Sequence, residues 1–167
     1  MLRHLRRGRS TRPTSVYLAA RFGRRDEMRE VAQELRLRGF RVTSRWLDSP
    51  TPISGEELSS PAEAARLAAM DLRDVQSADV CIAFTEPADH AKPGRGGRHT
   101  ELGIALANEA EVVLVGRREH IFHCLPQVKQ FDHWEAAKGH LLVRFDAQCA
   151  DPSDQHAVEP SRLAMPA

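Results

Sequence analysis

Short apolar segments alternate with helix-patterned segments along most of the 167-residue chain, and this alternation constrains the fold more than any other feature. Buried strands that alternate with amphipathic helices are typical of parallel sheets covered by helices on both faces. The sequence therefore predicts an α/β fold in one domain, with a small doubly wound parallel sheet of about five strands. The predicted strands cover residues 15–20, 40–44, 79–85, 111–116 and 128–131.

The helices between these strands have local start and stop signals. The i, i+3, i+4, i+7 spacing predicts one buried face on the first helix, which Gly39 ends. Ser60–Glu63 has the pattern of a capping box with proline at the first helical position, so a second helix is predicted from there to about Ser77. Further helices are predicted over 99–109 and after Asp132. The first helix face consists of Met28, Val31, Ala32 and Leu35.

Charge is unevenly distributed although its sum is only +1. Residues 1–13 contain five arginines and no acid, which leaves a net −4 on residues 14–167. We predict a disordered basic tail over 1–13, one folded domain over 14–145 and a disordered tail over 146–167. A near-neutral total does not favour a nucleic-acid partner, and the amino-terminal arginines are the one feature that points towards polyanions.

Cysteine usage and hydropathy bear on the expected location. Three cysteines without a C-x-x-C pattern do not favour a disulfide framework, and a reducing cytoplasmic setting is expected. No apolar run approaches the length of about 18 residues that a membrane span needs. The basic amino terminus has no apolar segment after it and does not resemble a secretory signal.

A glycine-rich stretch before the third predicted helix is the strongest candidate for chemistry. In doubly wound sheets, ligands bind beyond the carboxyl ends of the strands, which selects residues 20–25 and 86–98. Gly94–Gly103 could turn tightly and present backbone N–H groups to an anion at a helix amino terminus. Its spacing is neither that of a Walker A loop nor that of a dinucleotide fingerprint. Glu101 follows in the first turn, where the alternative is a carboxylate favoured only by the helix dipole.

Two other residues are candidates on position alone. Asp71 lies late in the second helix, where a carboxylate opposes the helix dipole, and the alternative is an ordinary solvated acid. Asp74 and Asp79 compete with it, and Asp79 is better explained as a turn or cap residue. Tyr17 is the only tyrosine and lies on the first strand. Its hydroxyl could orient a carboxylate, or it could be a half-buried strand residue.

Other catalytic classes find little support. His120 and His123 have H-x-x-H spacing, but no cysteine or carboxylate partner is placed by the sequence, so no metal site is predicted. Neither a G-x-S-x-G motif nor a Cys–His pairing is present, which does not favour serine or cysteine nucleophiles.

Three segments together resemble the nucleoside 2-deoxyribosyltransferase family, whose superfamily includes 2′-deoxynucleoside 5′-monophosphate N-glycosidases. They are Val16–Ala20, Asp71–Val80 and Gly96–Ala105, in the family's order, and the resemblance spans about residues 15–143. It implies a flavodoxin-like sheet and cleavage of the bond between deoxyribose C1′ and a nucleobase. It also implies that Glu101 is the nucleophile, that Asp71 serves the leaving base and that Tyr17 orients the glutamate.

Residues beside these positions are candidates for holding the substrate. The backbone N–H groups of the glycine-rich loop and the neighbouring basic side chains could bind a 5′-phosphate or 5′-hydroxyl. The transferases commonly carry an Asp-rich segment before the nucleophile, and the two arginines found here instead favour a nucleotide over a free nucleoside. The candidates are Ala19, Arg21, Phe22, Gly96, Gly97, Arg98 and His99.

The resemblance also implies a homodimer or higher homo-oligomer, a small-molecule nucleoside or nucleotide substrate, and no cofactor or metal. Two alternatives stay open. One is a phosphoribohydrolase of the cytokinin-activating type. That class has the pattern P-G-G-x-G-T-x-x-E, whereas here Thr100 immediately precedes Glu101, so the spacing does not match. The other is a nucleotide-sensing module that keeps the binding site without turnover.

Overall fold

A parallel sheet of five strands forms the centre of the described part of the protein, in the order β2-β1-β3-β4-β5. The computed structural model describes residues 12–49, 60–87 and 96–149. This strand order is the flavodoxin-like one, so the predicted α/β fold class is confirmed. The strands are β1 (Ser15–Ala19), β2 (Arg41–Val42), β3 (Val80–Phe84), β4 (Glu111–Val115) and β5 (Val128–Phe131).

Within the described residues, α-helices cover both faces of this sheet. Right-handed crossovers place α1 on one face and α2 with α3 on the other, where α2 and α3 contact each other. Lys138 of α4 pairs with Glu34 of α1 at 2.8 Å, so α4 shares the face of α1. The helices are α1 (Arg25–Leu37), α2 (Pro61–Gln76), α3 (Gly97–Ala107) and α4 (Trp134–Cys149).

Local signals place the first two helices as predicted. The four apolar residues expected on one face of α1 are its buried residues, and Gly39 follows it with a φ of 84°. At the start of α2, the Ser60 hydroxyl accepts a hydrogen bond from the Glu63 N–H at 3.5 Å, with Pro61 as the first helical residue. These interactions lie within a few residues of one another, which is why the sequence alone indicates them.

The second strand is shorter than predicted. Only Arg41–Val42 pair with β1, and Arg45–Asp48 form a short 3₁₀ helix instead. The turn is held by Asp74, which accepts hydrogen bonds from the Arg45 backbone N–H at 3.0 Å and from Arg45 Nε at 2.8 Å. The prediction of a strand over 40–44 was therefore wrong at its carboxyl end, because a side chain distant in sequence redirects the chain.

Helix α3 starts two residues earlier than predicted, at Gly97 rather than His99. Gly96 precedes it with a φ of 83°, a left-handed conformation that favours glycine. The early start places Glu101 in the second turn of α3 instead of the first. The predicted polar loop over 51–59 and most of the loop over 86–98 lie outside the described residues.

Both ends of the described chain have defined contacts. Arg12 Nη2 pairs with Asp79 Oδ1 at 2.7 Å, and Asp79 Oδ2 accepts from the Ser15 N–H at 2.9 Å. Asp79 thus acts as the turn residue that the sequence indicated. Helix α4 continues past residue 145 to Cys149. Among the helices in the described ranges, none combines the length and the apolar character that crossing a bilayer requires.

Candidate active site

Tyr17 lies in the middle of β1, and its side chain reaches the face of the sheet that α3 covers. Its hydroxyl donates a hydrogen bond to Glu101 Oε1 at 2.9 Å. The ring is fully buried. Burial, and then the negative charges of Glu101 and Asp71, raise the pKa of Tyr17 well above its usual value. Tyr17 is therefore a neutral donor to Glu101 at physiological pH.

Glu101 is half-buried and lies on the face of α3 that meets β1. Burial raises the pKa of Glu101 to about 7, the hydrogen bond from Tyr17 acts in the opposite direction, and the charge of Asp71 adds to the increase. The residue as a whole keeps some exposure to solvent. At neutral pH it is close to the balance between its ionised and protonated forms.

Asp71 supplies a second carboxyl group to the same site from α2. Burial and then the neighbouring charge of Asp74 raise the pKa of Asp71 to about 6, and Arg45 partly offsets this. Its Oδ1 atom is buried and has no hydrogen-bond partner among the described residues. Asp71 contributes to the raised pKa values of both Glu101 and Tyr17, so these three groups are electrostatically coupled.

Asp74, one turn further along α2, has a different environment. Its carboxylate is buried and contacts the Arg45 guanidinium, with Nη2 to Oδ1 at 2.7 Å. This carboxylate is occupied by the turn that follows β2. Of the three acids compared in the sequence, Asp71 is the one with an unpartnered oxygen beside Glu101, since Asp79 lies at the amino end of β3.

Arg98 has contacts that the sequence did not indicate. Its side chain is buried, with Nη2 at 2.5 Å from Glu119 Oε2 and Nη1 at 3.6 Å from Glu86 Oε1. Glu119 also accepts the Glu86 backbone N–H at 3.1 Å. The expected open phosphate ligand is thus a guanidinium held by two carboxylates, which join the start of α3 to the segments after β3 and β4. The signal that sequence analysis missed was the presence of acidic residues in the segments that follow two neighbouring strands.

The fold of this chain also occurs in a protein of known structure. No protein-family model and no curated protein matches the chain. Among solved structures, the chain is similar to the 2-deoxyribosyltransferase of the psychrotolerant bacterium Bacillus psychrosaccharolyticus, with a TM-score of 0.55 and 18% identity over 84% of this chain and 95% of that chain. The fold is shared with a 2-deoxyribosyltransferase. The chain also matches the Clostridium botulinum CMP N-glycosidase BcmB at a TM-score of 0.46 and 20% identity, over 80% and 99% of the two chains.

The fold expected from the sequence resemblance is therefore confirmed, and the loop after β1 can be placed in it. Ala19 ends β1 and pairs in register with Ala83 of β3. Arg21 Nη1 lies 3.6 Å from Glu86 Oε2, which brings this loop against the end of β3. The Phe22 ring is half-buried, with its centroid 6.3 Å from that of Trp46. These contacts place the loop after β1 at the carboxyl edge of the sheet, beside the end of β3.

Gly96 and Gly97 form the start of α3 on the other side of the site. The first N–H groups of an α-helix have no acceptor within the helix, so they favour an anion. The left-handed Gly96 turns the chain so that the helix begins directly at Gly97. The backbone N–H groups at the start of α3 can therefore bind an anion, although the Arg98 side chain is paired with Glu119 and Glu86.

His99, next to Arg98, belongs to a group of three imidazoles. His99 Nδ1 lies 2.9 Å from His120 Nε2, and the His120 and His123 rings have centroids 3.7 Å apart. Burial lowers the pKa of His123 to about 4, and burial together with Arg98 lowers that of His99. Sequence analysis identified each histidine but not their convergence.

The carboxyl pair has the properties needed for acid–base and nucleophilic chemistry. Pairs of titratable groups with raised pKa values in one site are typical of catalytic centres. Near neutral pH the pair can hold a single proton, which these pKa values favour on Glu101. Attack by Glu101 with donation by Asp71 uses the form in which that proton lies on Asp71. In this arrangement the Tyr17 hydroxyl donates its hydrogen bond to Glu101 Oε1.

Proposed function

We propose that this protein cleaves or transfers at the N-glycosidic bond of a (deoxy)nucleoside or its 5′-monophosphate. The observation that carries the proposal is the Tyr17–Glu101 hydrogen bond of 2.9 Å beside the unpartnered carboxyl oxygen of Asp71. In this proposal Glu101 is the nucleophile, Asp71 is the acid and Tyr17 positions the nucleophile.

In the first step, a Glu101 carboxylate oxygen forms a bond to C1′ of the sugar while the bond from C1′ to the base nitrogen breaks. The electron pair of that bond goes to the leaving base, and Asp71 donates a proton to it. A retaining mechanism of this type needs two carboxyl groups about 5 Å apart. The covalent intermediate divides one difficult displacement into two easier ones.

In the second step, an acceptor attacks C1′ and releases the Glu101 carboxylate. Asp71, now ionised, takes the proton of the acceptor. Water as the acceptor makes the protein a hydrolase, and a second nucleobase makes it a transferase. The proton that left Asp71 in the first step is thereby restored.

The start of α3 is the proposed binding position for the 5′ end of the substrate. The N–H groups at Gly97 favour a phosphate, and Arg21 approaches from the loop after β1. Because the Arg98 guanidinium is paired with Glu119 and Glu86, we propose that Arg98 stabilises the start of α3 and does not bind the phosphate directly. A homo-oligomeric assembly, expected from the family resemblance, also stays a proposal.

The shared fold supports this assignment. The Bacillus psychrosaccharolyticus protein of the same fold is named a 2-deoxyribosyltransferase. The sequence segments that resemble this family contain Tyr17, Asp71 and Glu101, and the Tyr17–Glu101 hydrogen bond supports their assignment to one site.

Chromatographic detection of free base tests the proposal. Nucleosides and 5′-monophosphates, each in ribo and deoxy forms, are incubated with the protein, with and without a second base. Glu101→Gln is the matched control, since it keeps the size of the side chain and removes the nucleophile. Base release from monophosphates alone identifies a nucleotide N-glycosidase, whereas exchange only with added base identifies a transferase. Binding without any product across the panel would contradict the catalytic proposal.

A further inference from the structure

Three histidines from two separate segments meet at the start of α3. His99 lies in the first turn of that helix, whereas His120 and His123 lie in the segment after β4. Each offers one ring nitrogen, and these three nitrogens all lie within 4.8 Å of one another. The sequence showed only the H-x-x-H pair, and the fold adds the third imidazole.

The cluster contains imidazole nitrogens without protein partners. His123 is only 1% exposed, and its Nε2 atom is buried without a hydrogen-bond partner among the described residues. The Nδ1 atom of His120 is in the same situation. Buried polar atoms nearly always have a hydrogen-bond or coordination partner in the protein, a water molecule or an ion. These two nitrogens therefore point to a bound ligand.

We propose that His99, His120 and His123 bind a divalent transition-metal ion of the zinc type. Imidazole nitrogen favours Zn²⁺, Cu²⁺, Ni²⁺ and Co²⁺, whereas Mg²⁺ and Ca²⁺ prefer oxygen ligands. Three histidines leave one position of a tetrahedral Zn²⁺ for water or another small ligand. This inference goes beyond the proposed function and does not depend on it.

The surroundings of the cluster provide an outer shell. When His99 binds the metal through Nδ1, its Nε2–H is directed towards Glu119, whose Oε2 atom lies 3.8 Å away. A carboxylate behind a metal-bound histidine orients the ring and increases its basicity. The nearby positive charge of Arg98 is balanced by Glu119 and Glu86, which reduces its repulsion of a cation.

His123 must change one hydrogen bond to bind the metal through Nε2. Its Nδ1 atom accepts the Glu119 backbone N–H at 3.2 Å, which places the proton of the neutral ring on Nε2. Metal binding moves this proton to Nδ1, and the Glu119 N–H then loses its acceptor. The Glu119 amide is therefore expected to change its environment when His123 binds the metal.

Metal titration of the full chain tests the proposal. Chelator-treated protein is titrated with Zn²⁺ against a chromogenic chelator, and separately with Co²⁺, whose visible absorption reports its coordination. We expect one ion per chain, no competition from Mg²⁺, and a shifted Glu119 amide resonance on Zn²⁺ binding. His99→Gln and His120→Gln, both half-exposed positions, should each weaken Zn²⁺ binding more than about 100-fold, because outer-shell changes alone cost roughly 10–100-fold.

Two control variants make the result specific. His133→Gln removes an exposed histidine outside the cluster and should leave Zn²⁺ affinity unchanged. Glu101→Gln should also keep Zn²⁺ affinity, which separates a failure of this proposal from a failure of the proposed function. The proposal is overturned if Zn²⁺ does not bind at one equivalent. It is equally overturned if His99→Gln and His120→Gln bind Zn²⁺ as tightly as His133→Gln does.

Discussion

Asp79 at the amino end of the sheet and the carboxyl pair beside α3 show how differently one small domain treats its acidic side chains. Asp79 accepts hydrogen bonds from the Ser15 N–H at 2.9 Å and the Ser15 hydroxyl at 2.6 Å, and it pairs with Arg12. Glu101 has one described donor, Tyr17, and Asp71 has a buried oxygen with none among the described residues. The first carboxylate joins β1 to β3, whereas the other two keep raised pKa values.

The same contrast occurs within one helix. Asp71 and Asp74 lie three residues apart on α2, but Arg45 pairs with Asp74 through its backbone and its guanidinium. Burial without such a pair raises the pKa of Asp71 to about 6. A carboxyl group with incomplete pairing costs folding stability and stays available for proton transfer, which is the pattern expected of a functional site.

The largest expected effect is that of Glu101→Gln. Removing the nucleophile should lower the rate of base release by at least about 10³-fold while the fold is kept. The comparison residue is Asp79: Asp79→Asn should cost about 1–3 kcal/mol of unfolding free energy and leave kcat unchanged. Base release and urea unfolding measure the two effects. The comparison fails if Asp79→Asn abolishes turnover or if Glu101→Gln keeps it.

The next effect separates the two aspartates of α2. Asp71→Asn should lower the rate by about 10²- to 10⁴-fold, most strongly for bases that leave poorly, because general acid catalysis is worth that much. Asp74→Asn, its matched control, should instead lower the unfolding free energy by about 1–2 kcal/mol through the loss of the Arg45 contact. Rates measured with several bases would contradict the acid role if Asp71→Asn slows all of them equally or not at all.

A smaller effect is expected for Tyr17→Phe. Loss of the 2.9 Å hydrogen bond to a charged group should reduce kcat/KM by about 10- to 100-fold. Because this bond lowers the pKa of Glu101, the variant should also move the basic limb of the rate profile, which follows the apparent pKa of about 7, to higher pH. A reduced rate with an unmoved profile would indicate that Tyr17 only supports packing.

The smallest effects concern pH. With Glu101 near 7 and Asp71 near 6, the pair holds one proton between these values, so kcat/KM should be bell-shaped with its maximum at about pH 6–7. Raised folded-state pKa values mean that the folded state keeps protons that the unfolded state releases. The contribution of these two carboxyl groups to stability should therefore decrease as the pH increases from about 4 to 7.

Glu101→Gln tests this sign, since it removes one titrating group. The variant should gain stability over the wild type at pH 8, by on the order of 2 kcal/mol, and little or none at pH 4. Urea unfolding at both pH values measures the difference. An equal gain at both values would show that the effect is packing and not titration.

Much of the fold follows from interactions between residues that are near one another in sequence. The buried face of α1 follows from apolar spacing, and the start of α2 from Ser60 and Pro61. The exception is the segment after β2, where Asp74, 29 residues later, turns the chain at Arg45. Local propensity favoured a longer strand there, and a contact between distant elements overrode it.

In the candidate site, too, the sequence indicated some features and contacts between distant elements decided the others. Position on the predicted elements and the family resemblance identified Tyr17, Asp71 and Glu101 as candidates. Their coupling, the enclosure of Arg98 by Glu119 and Glu86, and the meeting of three histidines depend on how β1, α2, α3 and the segment after β4 pack. Periodicity and capping act over about one helical turn, whereas burial, charge pairing and pKa depend on which distant side chains are brought together. The sequence therefore predicted most helices and strands, whereas the chemical properties of their side chains depend on packing.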